Sequence, residues 1–498
     1  MKTRLSIAAI LAAGAFLRLW KMNVFGFNSD EAVYAGQAAA LAGDATLGAI
    51  FPIFRAHPLM HQFLLAGVYA FGVGDLSGRL LSVVIGLAVV YLVYRLGELL
   101  YGTRAGIVAA LFMALMPYHV IVSRQVLLDG TLVLFSTLTL YLIANFAKTR
   151  DPVWLFASGV GLGLTFLAKE TGIIFLGSIY AFLALSPEIR LRFSHLAVSF
   201  FLMLVMVLPF PASLLISGRS GTGQGYLIWQ LLRRPNHTWD FYATTVPQVI
   251  GFLVIAAALL GLWLARRDRS WRERLLLLWI IVPLLFFQLW PTKGFQYLLP
   301  LAPAFTVLAG RMVSWTADSV HAGPAGTSRL RTGVAVALPA LIALSLAAAS
   351  WQRIQPGRSD EFLAGTGGVP GGREAGTWIL QNVPEGAAFL TIGPSMGNII
   401  QFYGHRKASG LSISSNPLRR NPAYQPVANP GLQIRLGEIQ YLVWDSYSAA
   451  RSSFFSDRLL RLAEEYRGRV IHTESVNVPL EGGETVRKPV IVIYEVRP

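Results

Sequence analysis

The chain has 498 residues, of which 54% are hydrophobic and 14% are charged, and its mean hydropathy is +0.53. This composition excludes an ordinary soluble domain and is typical of a protein that crosses a membrane many times. The net charge of +16 would suit nucleic-acid binding, but the arginines are spread over short segments between apolar runs, which disfavours that class. Cysteine is absent, so disulfides, thiolate metal ligands and thiol nucleophiles are all excluded.

Eleven apolar runs are long enough, or nearly so, to cross a hydrocarbon core of about 30 Å. They lie near residues 5–20, 80–100, 105–118, 130–147, 153–168, 171–186, 196–216, 245–265, 275–290, 296–313 and 332–350. The first run lacks a convincing cleavage site, so we interpret it as an uncleaved span. Basic residues occupy every second connection, which predicts a cytoplasmic N-terminus, a C-terminus outside, and a cell-membrane location.

Two long outer loops are predicted between these spans. Residues 23–75 form the first, because a further span there would invert every later basic connection. It contains two helices on the membrane surface, Ser29–Ala42 and Pro58–Phe71, and Ser29 is the predicted N-cap of the first. The second, residues 217–244, is rich in glycine and aromatic residues, and is either a structural interfacial loop or a lid over a lipid-linked substrate.

Residues 351–498 have the pattern of a soluble α/β domain, which the topology places outside the membrane. The predicted strands are Ala387–Ile392, Tyr441–Trp444, Val470–Ser475 and Val490–Val496, and the predicted helices are Gly372–Asn382, Pro394–Tyr403 and Ser453–Tyr466. The predicted fold class is therefore a polytopic α-helical membrane protein, residues 1–350, followed by an extracytoplasmic α/β domain.

Three cations are predicted at the outer ends of spans. Lys169 and Lys293 are two of only seven lysines, and Arg124 lies in a short connection on the same side. Charges at membrane depth are costly unless they pair, face water or take part in chemistry. Together the three would suit a phosphate or pyrophosphate, whereas each alone could be a boundary cation that extends to the headgroups.

Acidic residues are predicted on the same face. Asp30 and Glu31 are adjacent, so on a helix they diverge by about 100° and cannot both reach one atom. One could act as a base while the other positions a hydroxyl, although a helix-capping role explains the pair as well. Asp129 follows Arg124 by five positions and is more simply a partner for a cation.

A metal site has only weak support. His57 and His61 have the i, i+4 spacing of one helical face, but no complete metal motif accompanies them, so an interfacial histidine pair is the better interpretation. Participation of a divalent cation stays open.

A carboxylate base with phosphate-binding cations indicates a single-displacement transfer from a phospholipid-linked donor.

Several segments resemble the GT-C glycosyltransferases that use polyprenyl-phosphate sugars, especially the protein O-mannosyltransferases and relatives that add aminoarabinose to lipid A. The segments are Asn28-Ser29-Asp30-Glu31-Ala32-Val33-Tyr34, His57-Pro58-Leu59, Ser123 to Asp129, Ala168 to Gly172, and Lys293 to Pro300 with Tyr297. The resemblance implies that Asp30 is the base and that the other segments lie near the lipid phosphate and sugar. Leu59 replaces the second proline of the family's His-Pro-Pro motif, and no β-trefoil insert is predicted, so the acceptor stays open.

The predicted function is an inverting glycosyltransferase that acts at the outer face of the membrane. Its partners would be a polyprenyl-phosphate sugar, membrane lipid, and a protein or glycolipid acceptor. Asp30 would be the base, with Glu31 positioning a substrate and Arg124, Lys169 and Lys293 holding the lipid phosphate. The alternatives are a flippase of lipid-linked sugars, for which inverted repeats are lacking, and a receptor that binds through its α/β domain.

Overall fold

The computed structural model describes residues 2–53, 57–218, 220–266, 270–321, 328–356, 369–479 and 485–497. The protein has two parts: the helical region, residues 2–356, and the α/β region, residues 369–497.

The helical region is built from helices and short helical turns. Its α-helices are α1 Lys2–Leu19, α2 Ser29–Leu41, α3 Ala45–Ile50, α4 Met60–Tyr69, α5 Asp75–Tyr101, α6 Thr103–Leu115, α7 Pro117–Val122, α8 Leu128–Thr149, α9 Pro152–Ala168, α10 Ile174–Ala184, α11 Phe193–Val207, α12 Pro209–Ile216, α13 Ser220–Leu231, α14 Phe241–Val246, α15 Phe252–Ala265, α16 Trp271–Leu289, α17 Ala302–His321 and α18 Ser328–Arg353. Short 3₁₀-helices at Glu170–Ile173 and Phe295–Leu301 and a π-helical turn at Pro247–Gly251 join some of them.

Every predicted apolar run coincides with a helix in this region. Within the described residues, six helical stretches are long and apolar enough to cross a membrane by length and composition, and three further apolar helices are shorter. The helical membrane fold is therefore confirmed, while the count of eleven spans stays a prediction. Small residues bring the central helices together: a Cβ on Gly106 of α6 would lie 2.6 Å from the carbonyl oxygen of Tyr94 in α5.

The first outer loop folds into three helices, α2 to α4. The boundaries of α2 and α4 lie close to those predicted, but α3 was missed. The predicted N-cap was wrong by one residue: Asn28 caps α2, because its side-chain oxygen accepts hydrogen bonds from the backbone N–H groups of Asp30 and Glu31.

The α/β region is a five-stranded mixed sheet with flanking helices. Its elements are α19 Gly372–Asn382, β1 Ala388–Thr391, α20 Pro394–Tyr403, β2 Lys407–Gly410, α21 Pro430–Arg435, β3 Tyr441–Asp445, α22 Ser446–Arg451, α23 Ser453–Glu465, β4 Arg469–Pro479 and β5 Thr485–Glu495. The strand order is β2-β1-β3-β5-β4; β1 pairs in parallel with β2 and β3, and the other pairs are antiparallel. The four predicted strands are present, whereas β2 was missed because Lys-Ala-Ser-Gly is too short and polar to stand out.

The α/β region packs directly on the first outer loop, with α20 against α2. Tyr403 donates a hydrogen bond of 2.6 Å to the carboxylate of Asp75 and accepts one of 2.7 Å from the N–H of Phe27. Arg373 forms an ion pair of 3.1 Å with the same Asp75 carboxylate. Asn398 donates to the hydroxyl of Ser29, one residue before Asp30. These contacts fix the α/β region above the start of α2.

A glycine at this contact gives a first test of the packing. A Cβ on Gly26 would lie 2.6 Å from the Cβ of Arg373, a distance that forces the two regions apart. We expect Gly26→Ala to lower the free energy of unfolding by about 1–3 kcal/mol, measured by denaturant titration in detergent micelles. Gly67→Ala is the matched control, because its Cβ would meet nothing within 4 Å and α4 would gain helix propensity. Equal stability of the two variants would contradict this packing.

Candidate active site

A cavity of about 960 Å³ lies between the helical region and the α/β region. Its floor comes from loops and helix ends of the helical region, and its roof comes from the α/β region. Residues that line it from the helical region include Asp30, Tyr34, His57, Asp129, Lys169, Glu170, Tyr226, Arg233, Lys293 and Tyr297. Seven of the nine predicted base and substrate-binding residues therefore meet in one cavity, although they come from widely separated parts of the chain.

The carboxylate of Asp30 faces this cavity without a hydrogen-bond or ion-pair partner within the described residues. Asp30 lies in the first turn of α2. The side chain is open to the cavity but is surrounded by protein on the other sides. Burial raises the pKa of the Asp30 carboxyl, and the positive charges of Lys169 and His57 oppose part of this rise. A free carboxylate with a raised pKa suits a general base.

Glu31 does not line this cavity, although it is adjacent in sequence. Its side chain is 1% exposed and pairs through both oxygens with Arg79, at 3.0 and 3.1 Å. The same carboxylate accepts hydrogen bonds from Asn28, in a capping box, and from the N–H of Val126. The prediction that Glu31 contacts substrate is not supported by this geometry, since these contacts make it a structural anchor for α2.

Two ion pairs flank Asp30 in the cavity wall. Lys169 donates a hydrogen bond of 2.9 Å to Asp129, and both side chains are more than nine-tenths buried. His57 contacts Glu170 through Nδ1 at 2.9 Å. Asp129 is thus a partner for a cation, which was the simpler of its two interpretations. Since Asp129 and Glu170 each have a partner in the cavity wall, Asp30 is the acid beside them whose carboxylate is unpaired within the described residues.

The tyrosines predicted near the substrate lie beside these pairs. Tyr34 packs edge-on against the ring of His57, with the ring centres 6.2 Å apart. The ammonium of Lys169 lies 5.2 Å from the ring centre of Tyr297. Both rings line the cavity and hold the charged pairs in place.

Lys293 and Arg233 supply positive charge that no carboxylate neutralises within the described residues. The Lys293 ammonium lies 5.3 Å from the ring centre of Trp239, and Asn236 makes two hydrogen bonds of 2.8 Å with the backbone of Lys293. The Arg233 guanidinium packs 4.5 Å from the ring centre of Trp229. These contacts place two cations in the cavity with their charge available to a phosphate.

Arg124 is placed elsewhere. Its guanidinium donates hydrogen bonds of 2.8 and 3.0 Å to the carbonyl oxygens of Leu17 and Arg18, which caps the C-terminal end of α1. It lines a separate small pocket and not the main cavity. The three cations expected to converge therefore do not, and Arg233 occupies the cavity in place of Arg124.

The two histidines do not share a metal site. His57 precedes α4 instead of lying in it, so the expected helical spacing with His61 does not apply. His61 contacts the hydroxyl of Thr131 at 2.8 Å, and burial lowers the pKa of its imidazole to about 4. Across the described ranges, no group of three histidine, aspartate or glutamate side chains could hold a metal ion.

Sequence reasoning missed several functional neighbours. Arg79 was overlooked, although a charge near the start of an apolar run is the signal that drew attention to Lys169. Glu170 lies within the Ala168 to Gly172 segment, but its pairing with His57 was not predicted. Tyr226 comes from the second outer loop, where α13 forms a helix over the cavity; its hydroxyl lies 3.3 Å from Nε2 of His57. No local pattern links these residues to their partners.

A helical membrane region, a charged cavity at the ends of its helices and a C-terminal α/β region together correspond to a known fold. The chain has the GT-C glycosyltransferase fold and is a multi-pass membrane protein, as the sequence predicted. Residues 56–212, about a third of the chain, match the family model for dolichyl-phosphate-mannose-protein mannosyltransferase. No curated protein matches the chain in sequence.

Among solved structures, the chain is similar to ArnT from Cupriavidus metallidurans in its apo state, with a TM-score of 0.70 and 17% identity over 99% of this chain and 98% of that one. ArnT bound to undecaprenyl phosphate gives a TM-score of 0.66 and 18% identity over 98% and 97% of the two chains. The oligosaccharyltransferase AglB from Archaeoglobus fulgidus, in complex with an inhibitory peptide and a dolichol-phosphate, gives 0.63 and 15% over 98% and 74%. These likenesses establish the fold.

Proposed function

We propose that the chain is an inverting glycosyltransferase that moves a sugar from a polyprenyl-phosphate donor to an acceptor hydroxyl at the outer face of the cell membrane. The observation that carries this proposal is the free carboxylate of Asp30 in the same cavity as the unneutralised cations Lys293 and Arg233. The match to the mannosyltransferase family model and the likeness to structures that contain undecaprenyl phosphate or dolichol-phosphate support the donor class.

The proposed chemistry is a single displacement. Asp30 takes the proton of the acceptor hydroxyl. At the same time the oxygen of that hydroxyl attacks the anomeric carbon of the donor sugar, from the side opposite the lipid phosphate. The bond between that carbon and the phosphate oxygen breaks, and the phosphate leaves with the bonding electrons. Lys293 and Arg233 stabilise the growing charge on the phosphate, with Lys169 held nearby by Asp129. Attack from the opposite side inverts the configuration at the anomeric carbon.

The test is transfer of radiolabelled sugar by the purified protein from a panel of undecaprenyl-phosphate sugars. We expect one donor to release undecaprenyl phosphate in step with labelled product, and NMR of that product to show inverted configuration. Movement of intact donor across a vesicle bilayer without bond cleavage would instead identify a flippase and overturn the proposal.

The raised pKa of Asp30 predicts a specific pH dependence. The base works when ionised, so kcat/KM should rise with pH, with its half-maximal point above the ordinary range of an aspartate. His57→Gln removes a positive charge that lowers the Asp30 pKa, so the acid limb of the profile should move to higher pH. His195→Gln is the control, because His195 packs against Phe156 away from the cavity. An acid limb unaltered by His57→Gln would argue against Asp30 as the titrating base.

A further inference from the structure

The α/β region turns one edge, at the carboxyl ends of its parallel strands, toward the cavity. Three parallel strands, β1, β2 and β3, end on one side of the sheet, and the segments that follow each of them line the cavity. Pro394 and Ser395 follow β1, Ser412 and Ser414 follow β2, and Arg451 ends the short helix that follows β3. In open α/β sheets, ligands bind outside the carboxyl ends of the strands, where the strand order reverses. In this sheet that point lies between β1 and β3.

This edge is strongly cationic. The α/β region contributes Arg419, Arg420 and Arg451 to the cavity and, in its described part, no acidic residue. None of the three forms an ion pair with a carboxylate across the described ranges. Arg420 donates to the carbonyl oxygen of Ser415 at 2.7 Å, and Arg451 packs on the ring of Tyr447 at 3.8 Å. Contacts therefore hold the guanidinium groups of Arg420 and Arg451 in place, and no carboxylate matches the charge of either one within the described residues.

The cationic edge is coupled to the proposed base. Burial raises the pKa of Tyr447, Arg451 opposes that rise, and the negative charge of Asp30 adds to it. Tyr447 thus lies within electrostatic reach of Asp30 from the side of the α/β region, and Arg451 packs on the ring of Tyr447. Lys293 and Arg233 belong to the helical region, so each of the two regions contributes a cationic wall to the cavity. In the proposed function the wall with Lys293 and Arg233, here called the donor wall, holds the donor phosphate, which leaves the arginines of the α/β region for another anion.

We infer that the cationic edge binds the acceptor, and that the acceptor carries an acidic group, phosphate or carboxylate, beside the hydroxyl that reacts. This inference rests on the proposed function and specifies its acceptor class. Arginine pairs with either anion through two parallel hydrogen bonds, which fixes orientation as well as affinity. An acceptor anchored by its acidic group at Arg451 would present a neighbouring hydroxyl to Asp30. A neutral acceptor would leave three guanidinium groups unmatched beside it.

The test measures binding of three small sugars to the full chain in phosphatidylcholine nanodiscs saturated with undecaprenyl phosphate, which occupies the donor wall. The probes are glucose, glucuronic acid and glucose 6-phosphate, which share a ring and differ in charge. We expect at least one acidic probe to bind about tenfold or more tightly than glucose, as charge-assisted pairing predicts. The tighter of the two acidic probes identifies the anion. Equal binding of all three probes would overturn the inference.

Variants assign the binding to the edge. The triple variant Arg419→Gln/Arg420→Gln/Arg451→Gln should abolish the preference for acidic probes and leave the affinity for undecaprenyl phosphate unchanged. The single variant Arg451→Gln should weaken the same preference, and it serves as the test if the triple variant fails to fold. Arg435→Gln is the matched control, because Arg435 is an exposed residue of α21 that does not line the cavity. A preference retained in both edge variants would also overturn the inference. These experiments measure the affinity of the probes and do not depend on turnover. A protein that binds the acidic probes as expected but transfers no sugar would therefore count against the proposed function and not against this inference.

Discussion

Asp30→Asn should reduce kcat for sugar transfer by about 10²–10⁴-fold, the usual contribution of a general base. The variant should keep its fold and its affinity for undecaprenyl phosphate, because the Asp30 carboxylate has no hydrogen-bond or ion-pair partner to lose within the described residues. The measurement is single-turnover transfer of labelled sugar beside a thermal unfolding curve.

Asp44→Asn is the matched control for that substitution. Asp44 lies in the same outer loop and caps α3 through a hydrogen bond of 2.9 Å from the N–H of Leu47. Asparagine caps a helix as well as aspartate does, so transfer should be unchanged. Near-normal turnover by Asp30→Asn, or an equal loss in Asp44→Asn, would exclude Asp30 as the base.

Arg79→Met should destabilise the protein more than Gly26→Ala does. All five N–H donors of the Arg79 guanidinium are used: two reach Glu31, and the others reach the carbonyl oxygens of Met22, Phe25 and Gly26. Methionine keeps much of the length but leaves the Glu31 carboxylate buried without its cation. Breaking a buried pair in this way costs about 3–5 kcal/mol of unfolding free energy, measurable by SDS titration in mixed micelles.

Two further variants separate charge from packing. Arg95→Met removes an arginine from the same helix, α5, but its pair with Glu98 is partly exposed and 3.4 Å long, so the loss should stay below about 1 kcal/mol. Glu31→Gln combined with Arg79→Met should recover part of the stability, because no charge then stays buried. If Arg79→Met unfolded at the same SDS concentration as Arg95→Met, the anchoring role of the pair would be wrong.

Much of the fold was predictable from the sequence. The apolar runs coincide with helices because a span must satisfy its backbone hydrogen bonds within itself, so local composition decides it. Helices α19 and α20 were predicted with their observed bounds, since glycine, proline and apolar periodicity mark both ends. The strand β2 was missed because it is held by its neighbour β1 and not by its own residues.

The candidate site, like the fold, was predictable from the sequence only in part. The sequence by itself indicated that acids and cations lie at the ends of apolar segments, because a charge there is costly enough to be conspicuous. Only the tertiary structure decided their roles. Adjacent residues on a helix point about 100° apart, so Asp30 faces the cavity while Glu31 faces Arg79, a partner 48 residues away. Arg124 caps α1 and Arg233 enters the cavity because contacts between distant segments, which no local pattern encodes, set where each side chain ends.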